Sequence, residues 1–143
     1  MKKWVAVCLC VVLLFGAGEI IHLAAARSAR VRKAEISISA SERYSEREIR
    51  AAMNAVKRRF KWGWRGTLLS LTYDEEKTGK AAEEWAAQYG ADEAIVLISA
   101  FHTDDDERLA GSGLNSDFTY SGWQWVLVRS HGGRWKLKTW GYA

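Results

Sequence analysis

Residues Ala94–Phe101 (AIVLISAF) constrain the fold more than any other stretch. The run is apolar and has the length of a strand rather than of a helix. A strand with no polar face belongs in the middle of a sheet. Two further strands follow it, Trp123–Ser130 and Arg134–Trp140, and Gly132-Gly133 between them fits a two-residue hairpin turn.

The elements ahead of the central strand are mostly helical. Ser45-Glu46-Arg47-Glu48 is a capping box, with Ser45 at the N-cap and Glu48 three residues on. Tyr44 and Ile49 stand at the positions of a hydrophobic staple. Ile49, Ala52, Met53, Val56 and Phe60 recur at helical spacing, and Arg50, Lys57, Arg58 and Lys61 take the other faces. An amphipathic helix with a basic outer side is therefore expected over 46–61. Trp62-Gly63-Trp64-Arg65-Gly66 breaks it. Thr67–Tyr73 carries Leu69, Leu71 and Tyr73 at period two, a strand. Asp74–Gly79 reads as a turn and Lys80–Tyr89 as a second helix, with Ala81, Ala82, Trp85, Ala86 and Tyr89 on one side and Gly90 as its C′ residue. The order helix, strand, helix, strand, strand, strand indicates α+β, with helices packed on one face of a curved antiparallel sheet.

The N-terminus has a different character. Lys2-Lys3 precede a 15-residue apolar run without charge, Trp4–Gly18, and Ala24-Ala25-Ala26 offers a small-x-small cleavage pattern before Arg27. Residues 1–26 are thus expected to be a signal peptide or, uncleaved, a transmembrane helix acting as a membrane anchor. Basic residues flank the run on both sides, so charge alone does not orient it. Residues 27–34 (RSARVRKA) read as a basic linker, and 35–143 as one domain. The two cysteines, Cys8 and Cys10, lie in the leader without a lipoprotein pattern around them. A thiol enzyme and a disulfide scaffold are both excluded for the remainder.

Tyr44-Ser45-x-x-Glu48-Ile49, Tyr73-Asp74-Glu75-Glu76-Lys77, Ala94-Ile95-Val96-Leu97, Gly113-Leu114-Asn115, Trp123-x-Trp125-x-Leu127-Val128-Arg129, Trp135 and Gly141-Tyr142 carry a resemblance over most of 44–142. The pattern resembles an uncharacterised family of small exported or membrane-anchored domains, a domain of unknown function of Gram-positive gut bacteria. The resemblance implies an architecture similar to cystatin-like or nuclear-transport-factor-like folds. It implies no activity and no functional residues, and such folds host binding modules and enzymes alike.

Catalytic signatures are absent: no nucleophile elbow, no zinc-protease helix motif and no phosphate-binding glycine loop. His102 ends the central strand and faces the Asp run, where a His–Asp acid–base pair could form. His131 falls in the hairpin turn. The connection from His102 to Gly122 holds Asp104-Asp105-Asp106-Glu107 and Asp117, hard oxygen donors suited to Ca²⁺. Their spacing does not fit an EF-hand, so a solvated loop or a short helix capped by Asp104 is expected, and no cofactor or metal.

The hairpin is the most informative place. A Gly132-Gly133 turn pairs His131 with Arg134, Arg129 with Lys136, Leu127 with Lys138, and Trp125 with Trp140. Val126, Val128, Trp135, Leu137 and Thr139 then form the core face. Trp123, Trp125, Leu127, Arg129, Lys136, Lys138 and Trp140 form the other. Tryptophans flanked by cations stack on sugars and attract anions. Trp123, Trp125, Arg129, Lys136, Lys138 and Trp140 are therefore the candidate binding residues. The reading is a non-enzymatic extracytoplasmic binding module, secreted or membrane-anchored, for a cell-wall polymer or other anionic surface ligand, with no nucleic acid expected. The alternative is a small pocket enzyme or ligand carrier. A closed apolar interior between the first helix and the sheet favours the former, and a pocket with a buried Asp, Glu or His the latter.

Overall fold

The computed structural model describes residues 20–23, 25, 26 and 30–142. The run Trp4–Gly18, on which the signal or anchor expectation rests, lies outside them. Among the described residues no helix is long and apolar enough to cross a membrane.

Five strands and two long helices build the domain: β1 (Glu35–Ile38), α1 (Glu46–Gly63), β2 (Gly66–Tyr73), α2 (Glu75–Tyr89), β3 (Glu93–Thr103), β4 (Thr119–Arg129) and β5 (Lys136–Gly141). The fold is α+β, and the sheet is open, in the order β1-β2-β3-β4-β5. The apolar run lies within β3 at its centre, as its composition demands. β1 has no counterpart among the elements expected from the sequence. It is four residues long, and Ile36 and Ile38 alternate toward the core beside Glu35 and Ser37. It runs parallel to β2, whereas all later pairings are antiparallel, so the sheet is mixed rather than antiparallel.

α1 begins as its capping box requires. The Ser45 hydroxyl accepts from the Glu48 N–H, and the Glu48 carboxylate accepts from the Ser45 N–H at 2.8 Å. Ile49, Ala52, Met53, Val56 and Phe60 are buried against Leu71, Ile95, Leu97, Phe101, Trp125 and Leu127. Each large apolar side chain so buried stabilises the fold by ~1.5–3 kcal/mol. α2 starts five residues before its expected first residue. Asp74 is its N-cap, accepting from the Lys77 N–H, with Glu75 and Glu76 in the first turn. The acidic cluster that resembles a turn is thus a helix start favoured by the helix dipole.

α2 packs on the opposite face of the sheet from α1. Ala82 joins Ala94, Val96, Val126 and Val128 in a second apolar cluster, flanked by Ala81, Trp85 and Ala86. The helices therefore cover both faces, not one. The physical reason lies in β3: its Ile95 and Leu97 face α1 while Ala94 and Val96 face α2, and both sets must leave water.

Bulges change two expected alternations. A register shift between Leu68 and Ser70 turns Leu68 inward and leaves Leu69 exposed, so Leu69 does not share a face with Leu71 and Tyr73. In the hairpin, His131 and Gly132 hold positive φ (56° and 62°), and the Gly133 N–H donates to the Ser130 carbonyl at 3.1 Å. The turn is thus centred on His131-Gly132, not Gly132-Gly133. Val128 pairs with Lys136 and Leu127 with Leu137, and a bulge at Lys138 restores Trp125 opposite Trp140. Of the expected pairs, only Trp125–Trp140 is formed. Trp135 and Leu137 consequently pack in the α1 layer with Trp125 and Leu127, rather than with Val126 and Val128.

The expected basic linker is partly structural. Val31 is buried in the α1-side core, and Arg30 reaches Asp104 at 2.5 Å.

Candidate functional site

α1 ends because Trp64 leaves the helix for extended backbone (φ −116°, ψ 146°), while its N–H still donates to the Phe60 carbonyl. That placement puts the Trp64 ring among other aromatics. It stacks on Phe60 (5.5 Å between centroids) and meets Phe101 (5.0 Å), Trp125 (5.1 Å), Trp123 (5.7 Å) and Trp140 (6.3 Å). Over this aromatic floor a cavity of about 440 Å³ opens between the end of α1, the 108–114 loop and strands β4 and β5. Trp64, Trp123 and Trp140 line it, with Arg59, Arg65 and Arg108.

The three guanidinium groups have different partners. Arg59 projects one helical turn before Gly63, whose missing side chain leaves room for the guanidinium: a Cβ there would lie 3.5 Å from Arg59 Cζ. The Arg59 Cζ stands 5.0 Å from the Trp140 ring centroid, a cation–π contact. Arg65 and Arg108 converge on Asp106. Arg108 binds it with Nε at 2.8 Å and Nη2 at 2.8 Å, and Arg65 Nη1 lies at 3.1 Å. Hydrogen bonds from Arg108, with the Arg65 charge nearby, hold the Asp106 carboxyl down to about 2. Two of the three guanidinium groups thus share one carboxylate, and the group of four side chains carries a net positive charge at neutral pH. The Trp123 indole N–H is buried and finds no acceptor among the described residues. A buried donor without a partner costs ~1–3 kcal/mol.

The six residues singled out from the sequence do not share one surface. Trp123 and Trp140 line the cavity. Trp125 lies beneath it, fully buried, its indole N–H donating to Ser99 Oγ at 2.8 Å. Arg129 is 9% exposed and structural: Nη2 meets Glu48 Oε1 at 2.6 Å, Nε meets Glu93 Oε2 at 2.5 Å, and the guanidinium lies 4.3 Å from the Trp135 ring centroid. Lys136 pairs with Val128 and so points to the α2 side, and Lys138 Nζ stands 5.6 Å from the Tyr89 ring at the end of α2. The shifted register has moved both lysines away from the tryptophans. Trp64, Arg59, Arg65 and Arg108 take their place. The sequence signal for Trp64 and Arg65 is the Trp62-Gly63-Trp64-Arg65-Gly66 helix break; Arg59 and Arg108 carry none.

The remaining candidates resolve into local structure. His102 Nε2 lies 3.0 Å from Asp117 Oδ1 and Nδ1 lies 2.8 Å from Thr119 Oγ1. Its partner is Asp117 rather than the Asp104–Asp106 run. The two side chains are 42% and 74% exposed, so water competes for every contact. The His131 N–H donates to Asp92 Oδ2 at 2.7 Å, tying the hairpin turn to the start of β3. Asp104 pairs with Arg30, Asp105 accepts from Ser116, and Asp106 caps the short 3-10 turn Glu107–Leu109 in place of Asp104. Among the described residues no group of His, Cys, Asp and Glu is arranged to hold a metal. Comparison with family models, curated proteins and solved structures finds no match.

Proposed function

We propose that the domain is an extracytoplasmic binding module, and that the cavity at the end of α1 takes an anionic sugar unit of a cell-surface polymer. The observation that carries this reading is the lining of the cavity: three tryptophan rings beside three arginines, two of which share the carboxylate of Asp106. Indole faces stack on the apolar face of a sugar, and arginine forks recognise phosphate or carboxylate bidentately. The interior between α1 and the sheet supports a module over a small pocket enzyme. It is filled by Ile49, Met53, Val56, Phe60, Leu71, Ile95 and Leu97, each at most 2% exposed, with no Asp, Glu or His among them. The apolar run Trp4–Gly18 after Lys2-Lys3 supports a place outside the membrane, where wall polymers are the abundant anions.

The test is a pull-down with purified wall polymer. Arg59→Ala and Trp140→Ala should each weaken binding roughly tenfold, equivalent to ~1.4 kcal/mol. Lys136→Glu with Lys138→Glu, on the α2 side, should leave it intact. Binding lost in the lysine pair and kept in Arg59→Ala would place the ligand elsewhere.

A further inference from the structure

Four exposed apolar side chains lie at the end of α1 and in the short helical stretch 20–23 ahead of β1. Ile20, Ile21 and Leu23 are 70%, 67% and 53% exposed, and Trp62 is 57% exposed. They are not scattered. Leu23 and Trp62 line one cavity of about 360 Å³, together with Lys61. The end of α1 is basic: from Asn54 to Gly63 it carries Lys57, Arg58, Arg59 and Lys61 and no carboxylate. Lys61 Nζ stands 4.9 Å from the Trp62 ring centroid. The acidic groups in the same cavity are already neutralised, Asp104 by Arg30 and Asp106 by Arg65 and Arg108.

We propose that this face, the C-terminal half of α1 with Ile20–Leu23, rests on an anionic lipid surface. Charge complementarity calls for an anion, and the exposed aliphatic groups call for an apolar phase beside it. A soluble polyanion supplies only the first, whereas a bilayer interface supplies both. Tryptophan with neighbouring lysine or arginine is the side-chain pairing that settles at the headgroup level. The chain also leads there: upstream of Ile20 the sequence runs into the uncharged stretch Trp4–Gly18. The inference rests on the membrane reading of that stretch and is independent of the ligand reading. Its consequence is positional. The cavity of the proposed site shares Gly63, Trp64, Arg65 and Arg108 with the one that holds Trp62, so the site would open beside the headgroups.

The full chain is reconstituted into vesicles of phosphatidylcholine, with and without phosphatidylglycerol, whose acyl chains are brominated just below the headgroup. Trp4 is quenched wherever the leader inserts, so the informative quantity is the quenching lost in Trp62→Phe. That loss should be large in the phosphatidylglycerol vesicles. It should shrink at high salt, and it should vanish in a Lys57→Glu, Arg58→Glu, Lys61→Glu variant whose circular dichroism is unchanged. Equal quenching of wild type and Trp62→Phe would overturn the proposal. So would quenching that is indifferent to phosphatidylglycerol or to the charge reversal, or a chain that does not float with the vesicles. Each of these results leaves the polymer pull-down unaffected.

Discussion

Arg129 shows how a residue's chemistry can be read correctly and its place missed. A cation beside tryptophans invites a ligand, yet here the cation is enclosed by Glu48, Glu93 and the Trp135 face. No sequence pattern links positions 48, 93 and 129. The fold brings them together because Glu93 and Arg129 are direct cross-strand partners and the start of α1 lies over them. Arg129→Ala should cost ~3 kcal/mol in chemical denaturation, at the low end for a broken buried pair because both glutamates keep partial access to water. The pair also fixes a pH dependence. Hydrogen bonds from Ser45 and then from Arg129 hold the Glu48 carboxyl down to about 2, against an ordinary 4.5. The folded value is the lower one, so this contribution to stability is complete above 4.5 and is lost as pH falls toward 2. Urea melts over that range should show wild type losing more stability than Glu48→Gln. Parallel profiles would mean that the carboxylate is not engaged in solution.

At the scale of elements, what was legible is what local rules control. The capping box starts α1, the glycine at position 90 ends α2 in a left-handed conformation (φ 58°), and the apolar run forms β3. What was not legible depends on a partner strand. β1 is too short to announce itself and exists through pairing with β2, and the bulges at Leu69 and Lys138 are set by packing across the sheet. Gly66 belongs to the same class. A Cβ there would lie 2.4 Å from the His102 carbonyl oxygen and 3.1 Å from Thr103 Cα, both backbone atoms in the paired strand β3. Gly66→Ala should therefore destabilise the domain by at least ~1–3 kcal/mol, since a paired backbone cannot yield as a side chain can. Ser45→Ala, which removes only the cap, should cost ~1 kcal/mol. Thermal melts of the two variants rank them, and the opposite order would contradict the close packing of β2 on β3.

For the molecule as a whole, the class of fold was legible in the sequence, but the layering of its helices on the sheet was not. Counting helices and strands leads to α+β, whereas assigning α1 and α2 to opposite faces needs the crossover geometry. That assignment decides which tryptophans are core and which line the cavity. Trp125 is enclosed beneath α1, while Trp123 and Trp140 stand at the rim beside Trp64, and Trp85 lies on the far side stacked on Tyr89. The proposed site can therefore be tested residue by residue through the indole N–H signals in a ¹⁵N–¹H NMR titration with soluble fragments of a sugar-containing anionic wall polymer. The signals of Trp64, Trp123 and Trp140 should shift together and saturably, that of Trp85 should stay, and Arg59→Ala should need roughly tenfold more ligand for the same shifts while leaving the rest of the spectrum in place. Shifts confined to Trp85, or an unchanged response in Arg59→Ala, would contradict a binding site at the end of α1.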